Sequence, residues 1–98
     1  MLTDIKDQSN YTEQNIFLIN DEPVMKNALE VLTILGKTGK IIIKGKGKIC
    51  PNTVSVANII TENLLKGNSK VVKITVDGKI SDSGYMIPTI EIIIQKID

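Results

Sequence analysis

The sequence has no histidine, no arginine and no tryptophan, and it has a single cysteine. Without histidine it lacks both the commonest general base and the commonest metal ligand. Without arginine, all 12 basic side chains are lysines, compact charges that hold phosphate but lack the planar fork that reads guanine. Any nucleic-acid contact is therefore expected to favour backbone over sequence. Cys50 alone can form neither an intramolecular disulfide nor a multi-cysteine zinc site, which points to a reducing, cytoplasmic setting. No run approaches the roughly 18 to 20 apolar residues of a membrane span, and the first residues lack the hydrophobic segment of a signal peptide. No nucleophile, base and orienting group can be assembled from these residues, so no enzymatic activity, cofactor, metal site or small-molecule substrate is expected.

What is present suits one small domain. A chain of 98 residues holds one core of useful size. Apolar residues make up 42%, with isoleucine the most frequent, so packing alone can hold the fold. The net charge of +1 hides an uneven distribution. Residues 1–35 are acidic on balance, residues 36–48 carry five lysines and no acid, and the remainder is balanced. Positive charge is thus concentrated at the centre of the chain.

Residues 1–13 are polar and aperiodic and read as a flexible N-terminal tail; a single domain is expected over 14–98. Asn15 to Ile19 reads as a short buried strand. Asn20, Asp21, Glu22 and Pro23 then form a helix start, with acids at the positive end of the dipole and proline in the first turn. The helix is expected to run to about Leu35, with Met25, Ala28, Leu29, Leu32 and Leu35 as its buried stripe and Lys26 and Glu30 as an outward i, i+4 pair. Gly36 is its C-cap candidate. The unbroken Ile41, Ile42, Ile43 within Lys40–Lys44 suggests a central strand covered on both faces. Gly45 to Lys48 reads as a flexible basic turn, and Pro51 introduces a second helix over about 52–65 with Val56, Ala57, Ile60 and Leu64 on one face. Residues 71–80 and 86–96 read as two longer strands joined at Asp82, Ser83 and Gly84, the second turning Ile90, Ile92 and Ile94 inward and Glu91 and Gln95 outward.

The order is therefore βαβαββ. Right-handed crossovers place the ends of the first two strands at one edge of the sheet. That edge brings Asn20–Pro23 together with the segment from Lys44 to Asn52, whereas Lys37 and Lys40 enter the second strand at the opposite edge. Lys44, Lys46 and Lys48 are the candidate phosphate ligands. The glycines between them let backbone amides approach an anion, and the second helix begins just beyond, at Asn52. The plainer reading of the same run is a solvated basic turn. Two partial motifs are set aside. Gly36-Lys37-Thr38 resembles the end of a phosphate loop, but Val31 stands where the first glycine belongs and a strand follows instead of a helix. Gly45 and Gly47 make only a fragment of the dinucleotide fingerprint. Cys50, with no histidine partner, reads as a small packing residue.

The strings NIFLINDEPVMKNALEVLTIL, IIIKGKGKICPNTVSVANII and PTIEIIIQK resemble the Alba family of archaeal chromatin proteins over nearly all of the chain after residue 14. The resemblance implies a two-layer α+β (α/β) fold: βαβαββ, with a four-stranded mixed sheet and two helices on one face, like the C-terminal domain of translation initiation factor three. It also implies a nucleoid-associated dimer that coats double-stranded DNA with little sequence preference, RNA being a further ligand of many members. The family's basic-x-basic-G-basic loop is matched by Lys44, Lys46 and Lys48. The two positions before Pro23-Val24-Met25, commonly DNA-touching lysines of which one is acetylated, are Asp21 and Glu22 here. That reverses the charge at two positions, a change of about four charge units per subunit, weakens the expected duplex contact and removes the acetylation switch. In the hairpin that carries basic residues into the minor groove, only Lys79 is basic, against Asp77 and Asp82. Tyr85 and Met86 serve there either in strand pairing or in stacking on a base. The resulting expectation is a non-enzymatic binder of DNA or RNA backbones through Lys44, Lys46, Lys48, Asn52 and Lys79, modulated by Asp21 and Glu22. The alternative is an interaction subunit that forms a heterodimer with a more basic Alba-like paralogue or joins an RNA-processing particle.

Overall fold

The computed structural model describes residues 15–97. The expected tail over 1–13 and the expected domain start at Gln14 lie outside the described residues. The elements are β1 (Ile16–Leu18), α1 (Val24–Thr38), β2 (Lys40–Lys46), a 3-10 turn (Gly47–Ile49), α2 (Cys50–Ile59), one π-helical turn (Ile60–Leu64), β3 (Ser69–Ile80) and β4 (Met86–Lys96). The sheet order is β1-β2-β4-β3. β1 runs parallel to β2, and the other two pairs are antiparallel. The expected mixed four-stranded sheet with two helices is what forms.

Period-two alternation builds the core. Ile41 and Ile43 of β2 and Ile90, Ile92 and Ile94 of β4 are buried against Ala28, Val31 and Leu35 of α1 and Val56, Ala57 and Ile60 of the second helical segment. Each large side chain so placed contributes about 1.5 to 3 kcal/mol. Ile42 falls on the opposite face and is only half-buried. The expectation of a strand covered on both faces is therefore corrected: the run of three isoleucines reflects β propensity on a sheet with one covered face.

Helix α1 buries the expected Ala28 and Leu35 and packs the expected Leu32 against the core, but its stripe is rotated away from Met25 and Leu29 toward Asn27 and Val31. Asn27, Ala28, Val31 and Leu35 are buried, while Met25 and Leu29 are 50% and 51% exposed. The reason is polar. The Asn27 side-chain amide donates to the carbonyls of Asn20 at 3.2 Å and Glu22 at 3.3 Å, so its face is held inward beneath the loop before the helix. The helix also passes Gly36 and ends at Gly39, whose φ of 80° is the left-handed geometry that a C-cap requires. The Gly39 N–H closes on the Leu35 carbonyl at 2.8 Å. In the second helical segment the helix starts at Cys50, earlier than expected, with Pro51 in its first turn. Its last turn widens: the Leu65 N–H reaches back to the Ile60 carbonyl at 2.7 Å. That extra residue rotates Leu64 into solvent and packs Leu65 against the core, correcting the predicted inward Leu64.

Candidate nucleic-acid interface

The parallel pairing of β1 with β2 sets Leu18 opposite Lys44, and the Ile19 N–H donates to the Lys44 carbonyl at 2.8 Å. The loop Asn20–Pro23 and the basic segment therefore leave the sheet at one edge, as the crossover argument requires. Lys40 starts β2 at the other end, opposite Gln95.

The basic segment is not a flexible turn. β2 continues through Gly45 and Lys46, which pair with Ile90 and Thr89. The chain turns only at Gly47, with φ 59°, before the 3-10 turn. Gly45 is buried beneath α2, and any Cβ there would collide with the Thr53 side chain. This close approach lets β2 run on under the helix. Because Gly45 faces the helices, Lys44 and Lys46 both project from the open face of the sheet.

Lys79 of β3, opposite Ile87 of β4, reaches the same region. Lys44, Lys46 and Lys79 line one groove of about 400 Å³, together with Leu18, Thr89 and Glu91. Lys48, exposed on the 3-10 turn, and Asn52, half-buried in the first turn of α2, lie just beyond and are not among the lining residues. Asp21 and Glu22 are also outside the groove.

Glu91 is the residue that reading the sequence missed. It faces Lys44 across the β2–β4 ladder, with Nζ to Oε2 at 3.2 Å and the two side chains 38% and 45% exposed. Its outward alternation on β4 was legible, but the register that puts it opposite Lys44 was not. One of the three lysines in the run is therefore already engaged within the subunit, while Lys46, Lys48 and Lys79 have no ion pair among the described residues.

The acidic loop is partly neutralised as well. Glu22 pairs with Lys26 one turn along, in place of the Lys26–Glu30 pair expected. The hydrogen bond from Lys26 to Glu22, reinforced by the opposite charge, holds the Lys26 ammonium above its ordinary pKa. The Glu22 N–H bonds to the Asn20 Oδ1 at 3.0 Å, so the loop closes on itself as an Asx-turn. Cys50 is half-buried, its thiol near the carbonyls of Pro88 at 3.5 Å and Gly45 at 3.8 Å, in keeping with a packing role. At the hairpin tip, Tyr85 and Met86 are exposed. Met86 pairs with Ile80, and the Ser81 N–H donates to the Tyr85 carbonyl at 2.8 Å. Among the described residues no helix is long and apolar enough to cross a membrane, and none of their acidic or thiol groups cluster as metal ligands.

The Alba family model matches residues 15–77. Alba from Thermoplasma volcanium is a similar solved structure at 30% identity, with a TM-score of 0.71, over 83% of this chain and 99% of that one. The crystal structure of ALBA1 from Trypanosoma brucei shares the fold at 18% identity, with a TM-score of 0.72, over 87% of this chain and 71% of that one.

Proposed function

This chain belongs to the Alba family, and on that premise we propose that it is a non-enzymatic, nucleoid-associated cytoplasmic protein that binds DNA or RNA through the phosphate backbone. The observation that carries the reading is the groove where lysines from two separate strands, Lys44 and Lys46 of β2 and Lys79 of β3, line one surface. Lys48 on the 3-10 turn and Asn52 in the first turn of α2 lie beyond it. Lysine without arginine supports contact with phosphate instead of base edges. Asp21 and Glu22 beside the edge moderate the affinity, less than their formal charge suggests because Glu22 is paired with Lys26. A filter-binding salt titration tests the proposal. Affinity should fall steeply and linearly on a log–log scale as salt rises, on random-sequence DNA and RNA alike. Affinity that stays flat with salt refutes it.

The same reading includes a dimer. β3 extends past the helices, so Ile74, Val76 and Ile80 stand exposed, the last two at 71% and 72%, on the side of the sheet where the core lies. A single subunit leaves that strip bare, and a second copy or a more basic Alba-like paralogue would cover it. The second reading, an interaction subunit of a heterodimer or an RNA-processing particle, rests on this strip together with the acidic loop. Native mass spectrometry of this chain mixed with a basic homologue distinguishes the two: heterodimers support the second reading, and persistent separate homodimers count against it.

A further inference from the structure

The strand register places more positive charge on the open face of the sheet than the groove accounts for. Residues of β4 alternate, with Ile90, Ile92 and Ile94 buried under the helices. Ile87, Thr89, Glu91, Ile93 and Gln95 therefore look out from the other side. The partners of those outward positions share their face: Lys40, Ile42, Lys44 and Lys46 on β2, and Lys70, Lys73, Thr75, Asp77 and Lys79 on β3. Six of the 12 lysines thus lie on one sheet face. The acids there are Asp77 and Glu91, the latter held by Lys44.

The arrangement is ordered. Because β4 lies between β2 and β3, the lysines form two rows about 9.5 Å apart, two strand spacings. The row from Lys79 to Lys73 is about 20 Å long at the usual rise per residue, and the bulge between Val71 and Lys73 carries it on to Lys70. Between the rows runs the strip Ile87, Thr89, Glu91, Ile93 and Gln95, bordered by the half-buried Ile42, with the Glu91 carboxylate engaged by Lys44. Lys40, Lys46, Lys70, Lys73 and Lys79 are all exposed.

Resting on the function proposed above, we infer that this face is a track for single-stranded nucleic acid, which enters at the groove and runs along β4 toward Lys40 and Lys70. A single strand can lie between the two rows and be reached by ammonium groups from both sides. A duplex instead presents its phosphates on a rigid convex surface that meets a sheet along one line. Apart from the Glu91 carboxylate, which Lys44 engages, the strip offers aliphatic surface and amide and hydroxyl groups but no aromatic ring, so it would hold bases of any sequence without stacking selectivity.

The experiment compares the full chain with the Lys40→Gln/Lys70→Gln/Lys73→Gln variant, using fluorescence anisotropy of labelled oligo-dT and of a mixed-sequence duplex across a salt series. All three positions are exposed, so thermal melting should be little changed. Each lost contact should reduce the single-strand salt slope by about 0.7, a total of about 2, while the duplex slope stays that of the parent. An unchanged single-strand slope in the variant, with the parent binding normally, overturns the track and leaves the proposed function standing. A parent that binds neither probe overturns both. As a measurement independent of the variant, lysine acetylation with a water-soluble reagent should show Lys40, Lys70 and Lys73 protected when oligo-dT is bound. Equal labelling with and without oligo-dT overturns the track.

Discussion

Replacing Glu91 with glutamine should make binding more salt-sensitive, because it releases a cation that the subunit now holds for itself. The Lys44–Glu91 pair spans 3.2 Å with both side chains more than a third exposed, so after solvent screening it contributes only about 0.2 to 1 kcal/mol to stability. The variant should therefore remain folded, with a melting temperature lowered by no more than about 8 °C. Its effect on binding is larger. With Lys46, Lys48 and Lys79 each neutralising one phosphate, duplex affinity should follow salt with a log–log slope of about −2.7 per subunit. Freeing Lys44 for a fourth phosphate takes the slope to about −3.6. Between about 50 and 200 mM salt the fall in affinity then steepens by roughly 3.5-fold. Removing a negative charge alone would also raise affinity, so a double-mutant cycle isolates the pair. Lys44→Ala should leave the slope nearly unchanged in the parent but cancel the gain in the Glu91→Gln background. Should Lys44→Ala lower the slope by the same amount in both backgrounds, Lys44 already reaches phosphate past Glu91 and the reasoning fails.

Lys46→Ala and Lys48→Ala should each reduce the duplex slope by about 0.9 with no measurable change in melting, and an unchanged slope in either would remove that residue from the interface. Gly45→Ala should destabilise the fold by about 1 to 3 kcal/mol, because the new methyl group meets Thr53; urea unfolding measures it, and a neutral result would show that α2 can lift away. Asn27→Ala removes the amide that ties down the Asn20 and Glu22 carbonyls, at a cost of about 1 to 3 kcal/mol, and hydrogen exchange should show the amides of residues 20–26 less protected. Val76→Asp in the exposed strip should convert the proposed dimer to monomer in analytical ultracentrifugation, while a variant that still sediments as a dimer would place the interface elsewhere.

Much of this protein could be read along the chain. Pro51 marks a helix start because proline suits the first turn, Pro23 does so from the N-cap just outside α1 instead of from its first turn, and Ile90, Ile92 and Ile94 mark an inward face because strand side chains alternate. The order of elements, with the crossover rule, already placed Lys44 to Lys48 beside the loop holding Asp21 and Glu22. The errors share a cause. The α1 stripe was assigned by hydropathy, which puts Met25 and Leu29 inside and asparagine outside. Asn27 is buried with its amide N–H groups donating to two carbonyls of a neighbouring loop, its Oδ1 left without a partner among the described residues, and hydropathy does not record those partners. Gly36 is the first glycine after the expected stripe, but the helix runs on to Gly39, the glycine that adopts the left-handed φ of a C-cap.

Composition and local pattern by themselves determined the class of this chain: an α+β fold, lysine in place of arginine, and charge gathered in a central segment. These depend on side-chain chemistry and on periods of two and 3.6 residues, which adjacent positions carry. Tertiary structure alone decided which lysines are neighbours. The β2–β4 register sets Glu91 against Lys44, the sheet order sets a lysine row on each side of β4, and the reach of β3 brings Lys79 to the groove. Register is a long-range property, chosen by how the buried isoleucines of β2 and β4 pack beneath the helices, and a slip of one residue would turn every one of these charges to the other face.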